Sequence, residues 1–418
     1  MKTEIIAVGT ELLTPDFQDT NSLFLAAGLN AIGIDVSFKS VVGDAAGDLA
    51  RVLRTALGRS GLILCMGGLG PTEDDRTREV LAGVLGKKLV FREEIAARIR
   101  DRFRRRGLPT PASNLKQSYI IEGAEVLDNP NGTAPGLWLV AGRRRIALLP
   151  GPPREIRPMF GDQVLPRLAG LGGGPVLRRV LRLTGLGESA METRLKPVYK
   201  IVPAEVIVTT LASPGDLSIR LSSSGRGPRE AREARLDRIV RAIERAIGPF
   251  IYSGDGSGLE AVVGARLKER GLTVACAESC TGGLLGHRIT DVPGSSAYFL
   301  ESAVVYGDAA KSRRLGVPKA LIERHGAVSA AVARAMAAGI RRTSGADIGV
   351  AVTGIAGPGG GTPRKPVGLV YIALARARGT TVARSLFFGR REDVKFQSTQ
   401  KALDMIRKSL PAPSRKSL

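Results

Sequence analysis

The sequence predicts an α/β protein in three blocks: a parallel-sheet domain over residues 1–168, a small α+β module over 172–250, and an α/β/α domain over 256–410. Three observations carry this. Short aliphatic runs alternate with amphipathic stretches in the first and third blocks, the order that builds parallel sheets with right-handed crossovers. Leu62-Ile63-Leu64-Cys65-Met66 is continuously apolar, as in a strand covered on both faces. Two turn-rich stretches, Gly170-Leu171-Gly172-Gly173-Gly174 and Tyr252-Ser253-Gly254-Asp255-Gly256-Ser257-Gly258, punctuate the chain. At roughly 150 residues per domain, a chain of 418 residues holds two or three domains.

The elements follow in order. Residues 4–8 read as a strand, 21–31 as a helix, 34–42 as a strand, 48–57 as a helix with Asp48 as its cap, and 62–66 as the buried strand. In the middle block, strands at 176–184, 205–210 and 217–221 precede a charged helix at 229–247, and no residue there demands a chemical role. The third block has strands at 273–277, 302–306, 348–352 and 368–373. The final PAPSRKSL reads as a frayed basic tail. No short internal repeat points to a solenoid.

Composition bounds the function. With 43% hydrophobic and 24% charged residues the chain is globular, not disordered. No apolar run reaches the ~18–20 residues of a membrane span. The start carries Glu4 and Glu11 and reads as a strand, not a secretory signal. Three cysteines make no disulfide framework, so a reducing cytoplasm is the expected location. Two histidines leave no His-rich metal site. The 62 Lys+Arg against 39 Asp+Glu give +23, which invites a nucleic-acid reading through counterion release. Yet aromatics are only 4%, and the arginine clusters at 98–106 and 143–145 lack the interleaved rings of a stacking platform. The excess reads as solvated surface that steers anionic substrates, with DNA association as the rival reading.

The first candidate site follows the buried strand: Gly67-Gly68-Leu69-Gly70-Pro71-Thr72-Glu73-Asp74-Asp75-Arg76-Thr77. Ligands of open α/β sheets sit at the carboxyl ends of strands, and glycines let backbone N–H groups approach an anion. Thr72 is placed to cap the next helix. Asp74 and Asp75 repel a bare phosphate but suit a Mg²⁺ ion that bridges to one. The alternative is a tight turn with two helix-capping acids. Against it stand Gly9-Thr10-Glu11-Leu12 after the first strand and Leu149-Pro150-Gly151-Pro152-Pro153 after a later one.

These segments, with Asp19-Thr20-Asn21, Asn131-Gly132-Thr133-Ala134 and Pro150-Gly151-Pro152-Pro153-Arg154-Glu155, resemble the molybdopterin-binding-like domain of the CinA family of competence/damage-inducible proteins. The resemblance implies a nucleotide-handling site, with ADP-ribose pyrophosphatase activity in some members. It implies binding positions at Thr10, Glu11, Gly68, Gly70, Thr72 and Thr77, and a divalent metal at Asp74 and Asp75. Hydrolysis of ADP-ribose, pterin binding and inactivity all stay open.

The second candidate site lies in Thr273-Val274-Ala275-Cys276-Ala277-Glu278-Ser279-Cys280-Thr281-Gly282-Gly283, read as strand, sharp turn, helix. Ser279 is presented at the sheet edge, and the N–H groups of Thr281, Gly282 and Gly283 are placed to receive an oxyanion. The plainer reading makes Ser279 and Thr281 helix caps. A serine nucleophile needs a base, and neither His287, read as helical and structural, nor His325 stands in a triad pattern. Tyr306 and Lys311 follow a strand that reaches the same edge. A buried lysine takes the serine proton and a tyrosine relays it. The loop Thr353-Gly354-Ile355-Ala356-Gly357-Pro358 offers a phosphate cradle or a plain connection.

Together with Pro293-Gly294-Ser295-Ser296, Leu315-Gly316-Val317, Gly326-Ala327-Val328-Ser329 and Lys365-Pro366-Val367-Gly368, these motifs resemble the C-terminal, nicotinamide-nucleotide amidase domain of the same family. The resemblance implies conversion of nicotinamide mononucleotide (NMN) and water to nicotinic acid mononucleotide and ammonia, without a cofactor at that site. It implies that Ser279 attacks the amide carbon with Lys311 and Tyr306 assisting. It places substrate against Thr281, Gly282, Thr353, Gly354 and Gly357. Gly307-Asp308 stands where many relatives carry Ser-Asn. The expectation is an enzyme of pyridine-nucleotide recycling with small-molecule partners and no membrane, dimerising through its middle module. The alternative is a non-enzymatic DNA-binding or molybdopterin-binding protein.

Overall fold

The structure, a computed structural model, describes residues 1–172, 175–223 and 227–410. Part of the glycine-rich linker, Gly173 and Gly174, and the basic tail at 411–418 lie outside the described residues. The chain forms two compact units, one built on Met1–Leu177, the other on Arg178–Ser222 and the C-terminal part.

The first unit holds β1 (Thr3–Val8), β2 (Phe38–Val42), β3 (Leu62–Met66), β4 (Leu89–Phe91), β5 (Tyr119–Ile121), β6 (Glu125–Leu127), β7 (Gly136–Ala141) and β8 (Arg144–Leu149). The main sheet runs β2-β1-β3-β8-β7-β6, and β4 pairs with β5. The first four strands are parallel, as the alternation of elements predicts. β7 and β6 extend the sheet antiparallel. Residues 142–143 are too short for a crossover, so β7 must turn back onto β8.

Period-2 alternation gives the sheet two cores. Ile6, Val8, Ile63 and Cys65 face one core with Leu49, Leu53 and Leu81. Ile5, Ala7, Leu62 and Leu64 face the other with Leu25, Leu29 and Phe160. The helix over Ala46–Arg59 starts before Asp48, which lies in its first turn while Ala45 is the N-cap. Glu4 is fully buried in β1. Its carboxylate accepts from Arg59 at 2.7 and 3.0 Å, Ser40 at 2.9 Å and Ser60 at 3.0 Å.

In the second unit the middle module has β9 (Leu177–Leu183), β10 (Val206–Ser213), β11 (Asp216–Ser223) and β12 (Ile251–Ser253), ordered β10-β11-β9-β12. β12 occupies a stretch expected to be a boundary turn. It pairs antiparallel with β9. A helix over Glu188–Tyr199 adds to the elements expected of this module and buries one face through Met191, Leu195 and Val198. The charged helix Arg229–Ile247 is present as expected.

The C-terminal domain has β13 (Val274–Glu278), β14 (Phe299–Val304), β15 (Ile348–Gly354), β16 (Leu369–Arg376) and β17 (Gly379–Leu386), ordered β14-β13-β15-β16-β17. β14, β13 and β15 are parallel, and β16 and β17 are antiparallel. β14 ends two residues before Tyr306, which the sequence placed at the end of the strand. Val274, Cys276, Val350 and Val352 face a core closed by Leu259, Leu285 and Leu403. Ala275, Ala277 and Ala351 face the other, closed by Leu315, Met336 and Ile340. The domain is thus an α/β/α sandwich. Among the described residues no helix is long and apolar enough to cross a membrane.

Candidate active sites

In the C-terminal sheet, Glu278 ends β13 between Val304 of β14 and Val352 of β15. The three parallel strands open their carboxyl ends on one edge, where ligands of such sheets bind. Ser279 continues the ladder by one residue, its N–H donating to the Val352 carbonyl at 3.0 Å. Tyr306 follows on one side and Thr353 on the other, so three predicted residues converge on this edge.

Beyond Ser279 the chain turns through Gly282 (φ +61°) and Gly283 (φ +98°) into the helix Leu284–Thr290. Only glycine adopts those angles without strain. Glu278, which the sequence reading did not single out, organises the turn. It is fully buried. Its carboxylate accepts from the N–H groups of Gly283 and Leu285 at 3.0 Å, Gly286 at 2.8 Å and the Ser302 hydroxyl at 2.8 Å. This corrects the expected oxyanion donors. Gly283 is taken by Glu278, and the Gly282 N–H donates to the Ser279 carbonyl at 3.1 Å. The Thr281 N–H makes no such bond among the described residues. Thr281 is wholly buried, and its hydroxyl also lacks a partner among them.

Ser279 is 8% exposed. Its alternation with Ala275 and Ala277 directs its side chain to the face on which the helix Asp308–Leu315 packs through Leu315. Lys311 of that helix is 1% exposed. Its ammonium donates to the Tyr306 carbonyl at 2.9 Å and to Asp308 at 3.3 Å. Ser279 thus follows the end of β13, and Lys311 lies in the helix that follows the adjacent β14 and covers the same face. The Tyr306 phenol is placed differently from the expectation. It is 61% exposed and accepts from Arg391 at 3.3 Å. A relay from phenol to amine is not formed in this structure, because Lys311 meets Tyr306 through its backbone carbonyl.

Arg391 also donates to the Gly357 carbonyl at 2.7 Å, holding the glycine-rich loop. One turn later on the same helix, the Lys395 ammonium lies 3.8 Å from where a Cβ on Gly282 would stand. Two cations therefore flank the mouth. Their only signal in the sequence was an i, i+4 pair opening the helix Arg391–Ser409. Thr353 departs from its expected substrate contact: it is 1% exposed and its hydroxyl donates to the Ala327 carbonyl at 2.9 Å. Gly354 is closed off by Val370, whose Cγ2 lies 2.6 Å from where a Cβ would stand. Burial pushes the Cys280 thiol up to about 12, so it stays protonated beside Ser279 and is no competing nucleophile. His287, expected to be structural, is largely exposed and stands 3.6 Å from Asp291.

In the N-terminal sheet, a cleft of about 370 Å³ opens above β1, β3 and β8, lined by Glu11, Asp44, Gly68, Thr72, Asp75 and Glu155 among others. The N–H and hydroxyl of Thr10 both donate to Asp44, at 2.8 and 2.7 Å. Gly68 (φ +65°) leaves room for the Thr77 hydroxyl, which a Cβ would strike. Thr77 is fully buried, its hydroxyl donating to the Gly67 carbonyl at 2.9 Å and its N–H to Gly68 at 3.1 Å. It shapes the loop and cannot reach a ligand, contrary to expectation. Gly70 gives its space to the Asp75 carboxylate. Asn129 donates to Glu155 at 2.8 Å, and Asn131 to the Arg154 carbonyl at 2.8 Å, which locks two of the sequence motifs together.

Thr72 does not cap the helix Thr77–Leu85, whose N-cap is Arg76. Instead its hydroxyl donates to both Asp74 and Asp75, and its N–H to Asp75 at 3.0 Å. Lys116 ties the loop through the carbonyls of Thr72 at 2.9 Å and Asp75 at 2.6 Å. The hydrogen bond from Thr72 holds the Asp74 carboxyl below its usual value, so it stays ionised. Two carboxylates converging on one hydroxyl fit an ion that keeps its other positions for water and substrate phosphate. Among the described residues no group of three or more His, Cys, Asp or Glu side chains forms a closed metal cage.

Comparison with known proteins covers nearly all of the chain. Residues 257–410 match the family described as "CinA C-terminal domain", 178–253 the "Damage-inducible protein CinA KH domain", and 4–170 the "Probable molybdopterin binding domain". A CinA-like protein of Koribacter versatilis is 45% identical over 98% of this chain and 100% of its own length. One from Dictyoglomus thermophilum is 43% identical over 98% of this chain and 99% of its own. The crystal structure of the competence/damage inducible protein CihA from Agrobacterium tumefaciens is 37% identical, with 36% of this chain and 96% of that chain covered and a TM-score of 0.35.

Proposed function

The chain belongs to the CinA family, and on that premise we propose that its C-terminal domain is an amidohydrolase converting NMN to nicotinic acid mononucleotide and ammonia. One observation carries this reading: Ser279 and the buried Lys311 share a face at the carboxyl end of the sheet, with Arg391 and Lys395 at the mouth. The Ser279 hydroxyl attacks the carboxamide carbon while Lys311, reacting as the neutral amine, receives its proton to become the ammonium and then returns it. The proton returns to the amide nitrogen, ammonia leaves, and water then cleaves the acyl-serine ester. Arg391 and Lys395 suit the phosphate of a mononucleotide.

For the N-terminal cleft the proposal is nucleotide pyrophosphate hydrolysis, with ADP-ribose as substrate. The support is the pair Asp74–Asp75 beside a glycine loop at a strand end. A divalent ion held there would offset phosphate charge and polarise the scissile phosphoryl group. Thr72 holds the two carboxylates, and Lys116 holds the loop backbone through the Thr72 and Asp75 carbonyls. Ammonia release from NMN by the purified chain tests the amidase reading directly. A chain that binds NMN and liberates no ammonia overturns it.

A further inference from the structure

Asp216, at the start of β11 in the middle module, is 7% exposed. It accepts from the Tyr252 hydroxyl at 2.8 Å and pairs with Arg182. Its remaining partner is Gln400 of the C-terminal domain, at 3.4 Å. Gln400 is 2% exposed and accepts in turn from Arg288 at 2.7 Å. Arg288 lies in the helix that follows the Ser279 turn, and also donates to Thr399 at 2.8 Å and Glu260 at 2.6 Å. Beside Asp216, Gly215 (φ +76°) abuts the same final helix: a Cβ there would stand 3.2 Å from the Gln397 Cγ. The Thr184 hydroxyl holds the Gly215 carbonyl at 2.9 Å.

Burying a carboxylate is costly unless its lone pairs are filled, and this one is filled from two modules. The helix it reaches, Arg391–Ser409, puts Arg391 and Lys395 at the amidase mouth. Packed helices shift as rigid bodies, so a hold at Gln397 and Gln400 sets where those cations stand. We propose that Asp216 and Gln400 are positioning residues, through which the middle module places the two cations that receive the substrate phosphate. The proposal rests on the amidase reading.

Steady-state ammonia release from NMN and thermal melting of the full chain test it, using Asp216→Asn, Gln400→Met and the double variant. Each single variant should raise KM about tenfold at unchanged kcat. The double variant should do no worse than either, because both cut one link. Glu260→Ala removes another acceptor of Arg288 and should lower the melting temperature without moving KM. Unmoved KM in either single variant, additive effects, or a kcat loss that tracks the melting temperature overturns the proposal. A wild-type chain that releases no ammonia removes the amidase reading and this one together. An active wild type with unmoved KM removes only the positioning role.

Discussion

The Lys311 ammonium donates to the Tyr306 carbonyl across 2.9 Å while the Tyr306 phenol accepts from Arg391 on the other side. The two side chains thereby face opposite ways, the ammonium beneath the strand end and the phenol toward Arg391. Lys311→Met should cut kcat for NMN by about 10²–10⁴-fold, the usual worth of a general base. Tyr306→Phe should cost far less, since only the contact to Arg391 is lost. Single-turnover rates of the two variants compare them, and equal losses would assign the proton relay back to the phenol.

Ser279→Ala should abolish ammonia release, while Cys280→Ala should retain most of it, because the Cys280 thiol is pushed up to about 12 by burial and stays protonated. Trapping an acyl-enzyme by mass spectrometry in the wild type, and its absence in the serine variant, completes the check. Turnover by Ser279→Ala would reject the nucleophile.

Asp75→Asn should weaken Mn²⁺ binding to the N-terminal cleft at least tenfold and stop ADP-ribose cleavage, as should EDTA on the wild type. The pair Asp74–Asp75 supplies the two carboxylates that converge on Thr72 at the loop. Mn²⁺ affinity is read by electron paramagnetic resonance and hydrolysis by the appearance of AMP and ribose 5-phosphate. Cleavage that persists in EDTA would sever the metal from the reaction.

Glu278→Gln should destabilise the C-terminal domain by about 2–3 kcal/mol, because an amide NH₂ would face N–H donors that the carboxylate now accepts. The thermal midpoint should fall by roughly 5–10 °C. A variant that melts with the wild type would show that water replaces those bonds.

Burial pushes the Glu4 carboxyl up, but the hydrogen bonds from Arg59, Ser40 and Ser60 outweigh it, and the Glu4 pKa ends below its usual value. A depressed folded-state pKa stabilises the fold above the unfolded value of about 4.3, and that contribution fades as pH falls through the folded value. Glu4→Gln should therefore lose about 1–3 kcal/mol at pH 7 and much less at pH 3, measured by urea unfolding. A penalty independent of pH would mean that shape, not charge, matters at this position.

Much of this protein was legible in the chain because local chemistry reports it. Apolar runs such as Leu62–Met66 and Val274–Ala277 declare buried strands, and glycine soon after such a run declares a turn at the strand end. That placed Ser279 and Asp74–Asp75 at their sheet edges. Tertiary structure decided the rest, since it depends on which groups meet across long separations. It gave the Thr77 hydroxyl to the carbonyl of Gly67 and the Thr353 hydroxyl to that of Ala327 in a separate loop. It buried Glu278 under a helix start, and it brought Arg391, 85 positions beyond Tyr306, to the same mouth. A sequence shows which side chains seek partners; only packing selects those partners, because hydrogen bonds reward distance and direction rather than order along the chain.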